Sequence, residues 1–379
     1  MSEPNCTSLQ SLHGFDDYLK QLRIETDFTK SNLTYCKQYI CVAIWGGGNP
    51  DISGIGISIG YVVQIALAVG LAAAVMIGQD KQGHKWTCLQ SVTKAGFEAF
   101  FSFAIYFALS ANIASIVVLV DKDFGVSTAG FGASEAEIAL AMSVACILPL
   151  VYPIGLLPVR IESRESRAER KIEEERQNHG LRLLLFSLLG VVFLYPFVSQ
   201  ALHNWAPLRI GEGKGPGGST LVTDEEFSRV EEMCFGTIGR FTSWESRLLA
   251  GAEMAASILI YLCIIWHLVI AHVRRMERDD VEMDDHRRIT AAMSQARAYM
   301  EMPWKRSKLM RGLFLFIPAA LNGILLYCIF RLRDIQERML RGIEREYAGN
   351  EWGFGQIVSI IMFAPVVVEM AFTGWTVTC

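Results

Sequence analysis

The sequence predicts an all-α, polytopic integral membrane protein of about seven transmembrane helices, with its N-terminus lumenal or extracellular. Three observations carry that expectation. Of 379 residues, 51% are hydrophobic and only 20% charged, which is too apolar for a soluble domain of this length. The apolar residues are gathered into seven blocks. Lysine and arginine are shared unequally between the loops that separate those blocks.

The blocks fall at 55–78, 95–120, 138–159, 183–202, 248–272, 312–330 and 355–378. Each is near or above the ~20 residues a helix needs to cross ~30 Å of hydrocarbon. The first 40 residues are polar and have no early apolar core, so no cleavable signal is expected and the first block serves for targeting. Residues 1–48 read as a lumenal cap with a short amphipathic helix around Leu9–Leu22, and 49–379 as the transmembrane helical domain.

Loops 79–94, 160–182 and 273–311 hold 20 of the 35 lysines and arginines, which assigns them to the cytosol. Loops 121–137, 203–247 and 331–354 then face the lumen. The last of these carries five arginines against the rule, interleaved with acids. Two N-glycosylation sequons, at Asn5 and Asn32, fall on the same side. So do Cys6, Cys36, Cys41 and Cys234, which form one or two disulfides there or stay as free thiols. The endoplasmic reticulum membrane is the expected location.

Trp45-Gly46-Gly47-Gly48 reads as a glycine turn, and Asn49-Pro50-Asp51 as a helix start with Asn49 as N-cap, Pro50 as first residue and Asp51 against the positive helix end. Gly56 and Gly60 then give a small-xxx-small face for a close neighbour. Residues 160–182 read as a cytosolic helical extension with i,i+4 ion pairs, and the Gly-rich 211–218 as a flexible lid. There is no internal repeat of the kind many transporters show.

Chemistry is sought where the bilayer makes polar groups costly. Glu98, Glu253 and Glu369 lie inside blocks without lysine or arginine, where a carboxylate costs about 2.5–3.5 kcal/mol or more. Glu98 is one turn from the cytosolic end and is expected to snorkel. Burial disfavours the ionised form of a carboxyl group, so Glu253 and Glu369 are expected to serve as acids. Two layers result: a lumenal one of Asp51, Glu253 and Asn112, and a cytosolic one of Glu98, His267, Glu369 and Tyr152. Asn322 lies near mid-membrane. The second block is rich in aromatics, Phe103 and Tyr106 among them, which pack in the core or present π faces to a cation.

The acidic run Asp279–Asp285 is single and flanked by arginines, unlike the paired Asp-rich motifs that hold magnesium and a diphosphate. Phosphate loops, zinc-ligand spacings and Gly-x-Ser-x-Gly are missing too, so neither metal nor cofactor is expected, and no nucleic-acid partner.

Asn49-Pro50-Asp51-Ile52-Ser53-Gly54-Ile55-Gly56, at the edge of the first span, resembles a motif of fungal polytopic membrane proteins. Among these the chain resembles the membrane-bound terpene cyclases of ascochlorin and ascofuranone biosynthesis. The resemblance implies cyclisation of a farnesylated phenolic meroterpenoid, with a terminal epoxide, by protonation and without metal. That is an isomerase activity of fungal secondary metabolism. The burial argument, not the family, names the proton donor: Glu253 or Glu369, with Asp51 third at the pocket mouth. Asn322, Tyr152, His267, Phe103, Tyr106 and Asn112 are the expected contacts of the lipophilic substrate. A proton-coupled transporter or a seven-helix receptor for a lipophilic ligand are the alternatives.

Overall fold

Seven helices are long and apolar enough to cross a membrane: Pro50–Gly78, Cys88–Asp121, Ala133–Leu156, Gly180–Asn204, Ser243–Val273, Lys308–Arg341 and Gly355–Thr376. The computed structural model describes residues 4–10, 14–78, 84–122, 131–156, 166–205, 221–236, 238–239, 241–281 and 307–376. Among these residues there are helices and no strands. The chain opens with α1 (Phe15–Thr26), α2 (Lys30–Tyr35) and α3 (Lys37–Trp45). The first three spans are α4 (Pro50–Ser53) with α5 (Ile55–Gly78), α6 (His84–Asp121), and α7 (Ala133–Ile147) with α8 (Val151–Leu156). Then come α9 (Ser166–Trp205), α10 (Asp224–Phe235), α11 (Ser243–Val281), α12 (Lys308–Arg341), and the last span, α13 (Phe354–Ile361) with α14 (Ala364–Thr376).

The third span is the axis of the bundle. Helices α5, α6, α9, α11 and α12 form a ring, each against the next, with α7 inside it. Residues 138–156 are buried without exception. Ala139, Ala141, Ser143, Ala145 and Cys146 keep this helix slim, so its neighbours approach on every side. Pro149 lacks an amide N–H, and the helix tightens there into a 3-10 turn over Leu148–Leu150 before resuming as α8.

The last span lies outside the ring, laid across α5 and α6. The glycine face of α5 makes that contact. Gly56 N–H donates to Gln356 Oε1 (2.9 Å), and Ser359 Oγ donates to Gly56 O (3.1 Å). A Cβ on Gly56 would stand 2.5 Å from Gln356 Cβ, so no larger residue fits without parting the helices. The outward face of α14 shows Val367, Val368, Phe372 and Trp375, a surface suited to hydrocarbon.

A second core caps one end of the bundle. Leu19, Leu22, Ile40, Ile44, Val230 and Phe235 pack there against Ile335, Met339 and Leu340 of α12. Tyr18 sits at the centre, and burial pushes its phenol well above the usual tyrosine range. Disulfides Cys6–Cys36 and Cys41–Cys234 close this cap, pairing all four cysteines singled out in the sequence. A capping box between Thr223 and Glu226 starts α10, and Glu226 also pairs with Arg23 of α1 at 2.7 Å. Asn5 is exposed and Asn32 half-buried on the cap.

The sixth span corrects the expected loop at 331–354. Helix α12 does not end at 330 but continues to Arg341, because Ile335, Met339 and Leu340 extend its apolar stripe into the cap. Its arginines are answered locally: Arg331 by Glu245 and Asp334, Arg338 by Asp334, and Arg341 by Glu337. Arg333 differs from these in being buried. The stretch 211–218 lies outside the described residues, as do the side chains of the acidic run 279–285 and those of residues 160–179.

Candidate functional site

The octapeptide Asn49–Gly56 is built as its residues dictate. Asn49 Oδ1 accepts from Asp51 N–H (2.9 Å), Pro50 opens α4, and the chain extends at Gly54 before α5 begins. The preceding glycines wrap a buried acid of α7: Glu135 Oε1 accepts from Gly48 N–H at 2.7 Å, and Oε2 lies 3.6 Å from Lys122 Nζ. Gly46 and Gly48 hold φ of +92° and +87°, and a Cβ on either would collide with Glu135 or Tyr347. This motif joins cap to bundle. Asp51 itself is exposed on its rim.

Glu253 is different. The residue is 3% exposed, near the cap end of α11, and its Oε2 accepts from Asn204 Nδ2 of α9 at 3.3 Å. It lines a cleft of about 20 Å³ together with Glu137, His203, Asn204, Ser246 and Phe241. His203 Nε2 stands 3.9 Å from Glu137 Oε1. The cleft thus joins a buried acid to a half-exposed glutamate and an imidazole, a set able to pass a proton inward. Its volume suits a water molecule or two, not an isoprenoid chain.

Below Glu253 the seam between α9 and α11 is polar for one turn and then aromatic. Ser257 Oγ donates to Gln200 Oε1 (3.3 Å), whose Nε2 donates to Leu140 O of α7 (3.1 Å). Phe193, Phe197 and Tyr261 follow, with ring centroids 5.2–6.3 Å apart. Tyr261 is eight residues beyond Glu253, about 12 Å along the helix. Leu194, Val198, Ile258 and Leu262 expose the same seam outward.

A belt of amides surrounds the middle of α7. Gln64 Nε2 of α5 donates to Cys146 O (2.9 Å), and Asn112 Nδ2 of α6 donates to Ala108 O (2.8 Å) and Ser143 O (3.3 Å). Among the described residues their carbonyl oxygens have no partner, nor does either end of the Asn322 amide on α12. All three are fully buried.

The two expected layers do not assemble. Asp51, Glu253 and Asn112 lie on different seams: the rim of α4, the α9–α11 cleft, and the α6–α7 contact. Glu369 is not buried. It faces outward on α14, because the inward positions are taken by Val366 and Met370, the latter packed on Gly96. That register also sets Glu369 at the depth of Glu98, near the end opposite the cap. Glu98 is half-buried and paired with Lys94 (3.9 Å) and Arg182 (3.5 Å), as snorkelling requires.

Among the other expected contacts, Tyr152 spends its hydroxyl on Leu315 O of α12 (2.7 Å). His267 is half-buried on α11, well past the cleft. Tyr106 points outward from α6, and Phe103 is partly buried against the core, so neither lines the cleft of Glu253. Phe97, Phe100, Phe101 and Phe107 are core residues, stacking in part on Phe363 and Tyr61. Glu137, His203 and Asn204 were missed because they sit at block ends, where polar residues are ordinary. The one signal for them was their shared distance from the cap end.

No family model, curated protein or solved structure matches the chain. Fold and site define a class, a seven-span helical membrane protein with a disulfide-closed cap. Among the described residues no group of histidine, cysteine and acid side chains is placed to hold a metal ion.

Proposed function

We propose that this protein is a membrane-embedded terpene cyclase acting on a lipophilic prenylated phenol, with Glu253 as the proton donor. One observation carries the reading: a buried carboxyl group heads a membrane-facing seam whose next turns present Phe197, Tyr261 and Phe193. The resemblance of the Asn49–Gly56 segment to fungal membrane cyclases supplies the substrate class. In this mechanism the isoprenoid tail enters from the bilayer along the α9–α11 seam. Glu253 gives its proton to the epoxide oxygen, the C–O bond opens, and the neighbouring alkene attacks the tertiary carbon. The ring faces stabilise the cation as it moves along the chain. A carbon-bound proton is lost to end the reaction, and His203 and Glu137 return one to Glu253 from the cap side.

The test is product formation in yeast microsomes supplied with a farnesylated phenol carrying a terminal epoxide. A cyclic product of unchanged mass is expected from the wild type and none from Glu253→Gln. Substrate left intact by the wild type, or full turnover by the variant, refutes the reading.

A second reading rests on another observation, the 3-10 turn that interrupts the α-helical run of the central span at Pro149 beside the belt of Gln64, Asn112 and Asn322. Interrupted helices with spare oxygens near mid-membrane are how many transporters bind cargo. That reading expects unaltered substrate to accumulate in sealed vesicles under a proton gradient, with loss on Asn322→Leu.

A further inference from the structure

We propose that Arg333 is the anchor of a site for a phosphate oxyanion at the seam of cap and bundle. Arg333 is only 9% exposed and lies on the stripe of α12 that faces α5. One amino group donates to Ser58 Oγ at 3.1 Å, and the guanidinium lies over the Tyr347 ring, 5.9 Å from its centroid. Nε has no partner among the described residues. No carboxylate among them pairs with Arg333, whereas Arg331, Arg338 and Arg341 of the same helix each have one.

That arrangement is incomplete by itself. A guanidinium does not shed its proton in a protein, and a buried charge without a counter-charge is costly. A hydroxyl and a ring face offset part of that cost and leave the charge uncancelled. Asp51 is exposed and makes no ion pair among the described residues, while Glu135 is committed to Gly48 and Lys122. One turn along α12, Gln336 Nε2 donates to Trp45 O and leaves Oε1 unpartnered among the described residues. An unused donor and an unused acceptor on one face match a phosphate that offers both oxyanion and hydroxyl.

Depth fits the same ligand. Ser58 lies in the first turn of α5, within the first span Pro50–Gly78, and Arg333 meets it toward the cap end of that span, the end nearer to lipid headgroups. The shared chemistry is a phosphate, from a phospholipid or from solution. The site does not depend on the role of Glu253, and its test reads binding rather than turnover.

The full chain, purified in a neutral detergent and stripped of lipid, is titrated with dihexanoyl phosphatidic acid, inorganic phosphate and dihexanoylglycerol, following the thermal midpoint. The wild type is expected to gain several degrees with phosphatidic acid and nothing with dihexanoylglycerol. A matching gain with inorganic phosphate assigns the site to a free anion; a gain with the lipid alone assigns it to a headgroup. Arg333→Gln is expected to lose the response. Should that variant not fold, Arg333→Lys and Ser58→Ala are each expected to weaken binding about tenfold, measured by the same titration. A wild type indifferent to both phosphates overturns the proposal, as does an undiminished response in Arg333→Gln or in both milder variants.

Discussion

Replacing Gly56 by alanine tests whether the last span is held by close backbone approach. The new Cβ would lie 2.5 Å from Gln356 Cβ and 2.9 Å from Gln356 O. Carbon atoms pack at about 3.5–4.0 Å, so α5 and α13 must part by about 1 Å. Overpacking of this kind costs about 1–3 kcal/mol. Parting also weakens the bond from Gly56 N–H to Gln356 Oε1, worth about 1 kcal/mol. Alanine returns about 1 kcal/mol through its better helix propensity. The net loss is therefore about 1–3 kcal/mol.

Gly60 is the internal control. Its Cβ would meet Ser359 no closer than 3.2 Å, a shift of a few tenths of an ångström that the propensity gain offsets. In detergent, thermal unfolding followed by tryptophan fluorescence should show Gly56→Ala several degrees below the wild type and Gly60→Ala level with it. A Gly56→Ala midpoint at or above the wild type, or a larger loss at Gly60, would refute the packing argument.

Other outcomes follow from the same contacts. Glu369→Gln should leave product formation within about twofold of the wild type in the microsome assay, since its side chain faces outward on α14. Glu245 bridges Thr242, Tyr327 and Arg331, so Glu245→Leu should lower the thermal midpoint and more so than Glu98→Leu, whose ion pairs are longer and half-exposed. Removing Cys41–Cys234, which spans 193 residues, should cost more cap stability than removing Cys6–Cys36, which spans 30: about 5 against about 4 kcal/mol by chain entropy alone. Limited proteolysis of the two double-serine variants ranks them, and a reversed order counts against the loop-entropy account. Asn5 is exposed, so a peptide N-glycosidase should shift the mobility of protein made in the secretory pathway, and Asn5→Gln should remove that shift. Cys88, at the other end of the bundle, is disulfide-bonded as well, so unglycosylated protein would reverse the orientation drawn from the loop charges.

Much of the fold was legible in the residues because the bilayer imposes a one-dimensional rule. An apolar run of sufficient length must become a helix, since no other local structure satisfies its own backbone there. The helix start at Asn49-Pro50-Asp51 and the close face of Gly56 and Gly60 were legible for a similar reason: capping and steric fit are set by neighbours in the chain. The cysteines of the cap announced themselves by falling together on one predicted side.

What hydropathy does not encode is which way each helix turns. Glu253 and Glu369 look alike in the sequence, each an acid within an apolar run. Tertiary packing sets one beside Asn204 in a closed seam and the other on an outer face, because α11 belongs to the ring while α14 lies outside it. Glu137 and His203 sat at the ends of their blocks, and only the packing of three helices brings them to one cleft. Arg333 passed for one more loop arginine until α12 proved long enough to carry it under the cap. Seven spans and the capped start of the first could be read from the residues alone, whereas the pairing of the cap cysteines could not. Only the folded bundle decided which polar groups are sealed from water and lipid, because burial depends on neighbours far away in the chain.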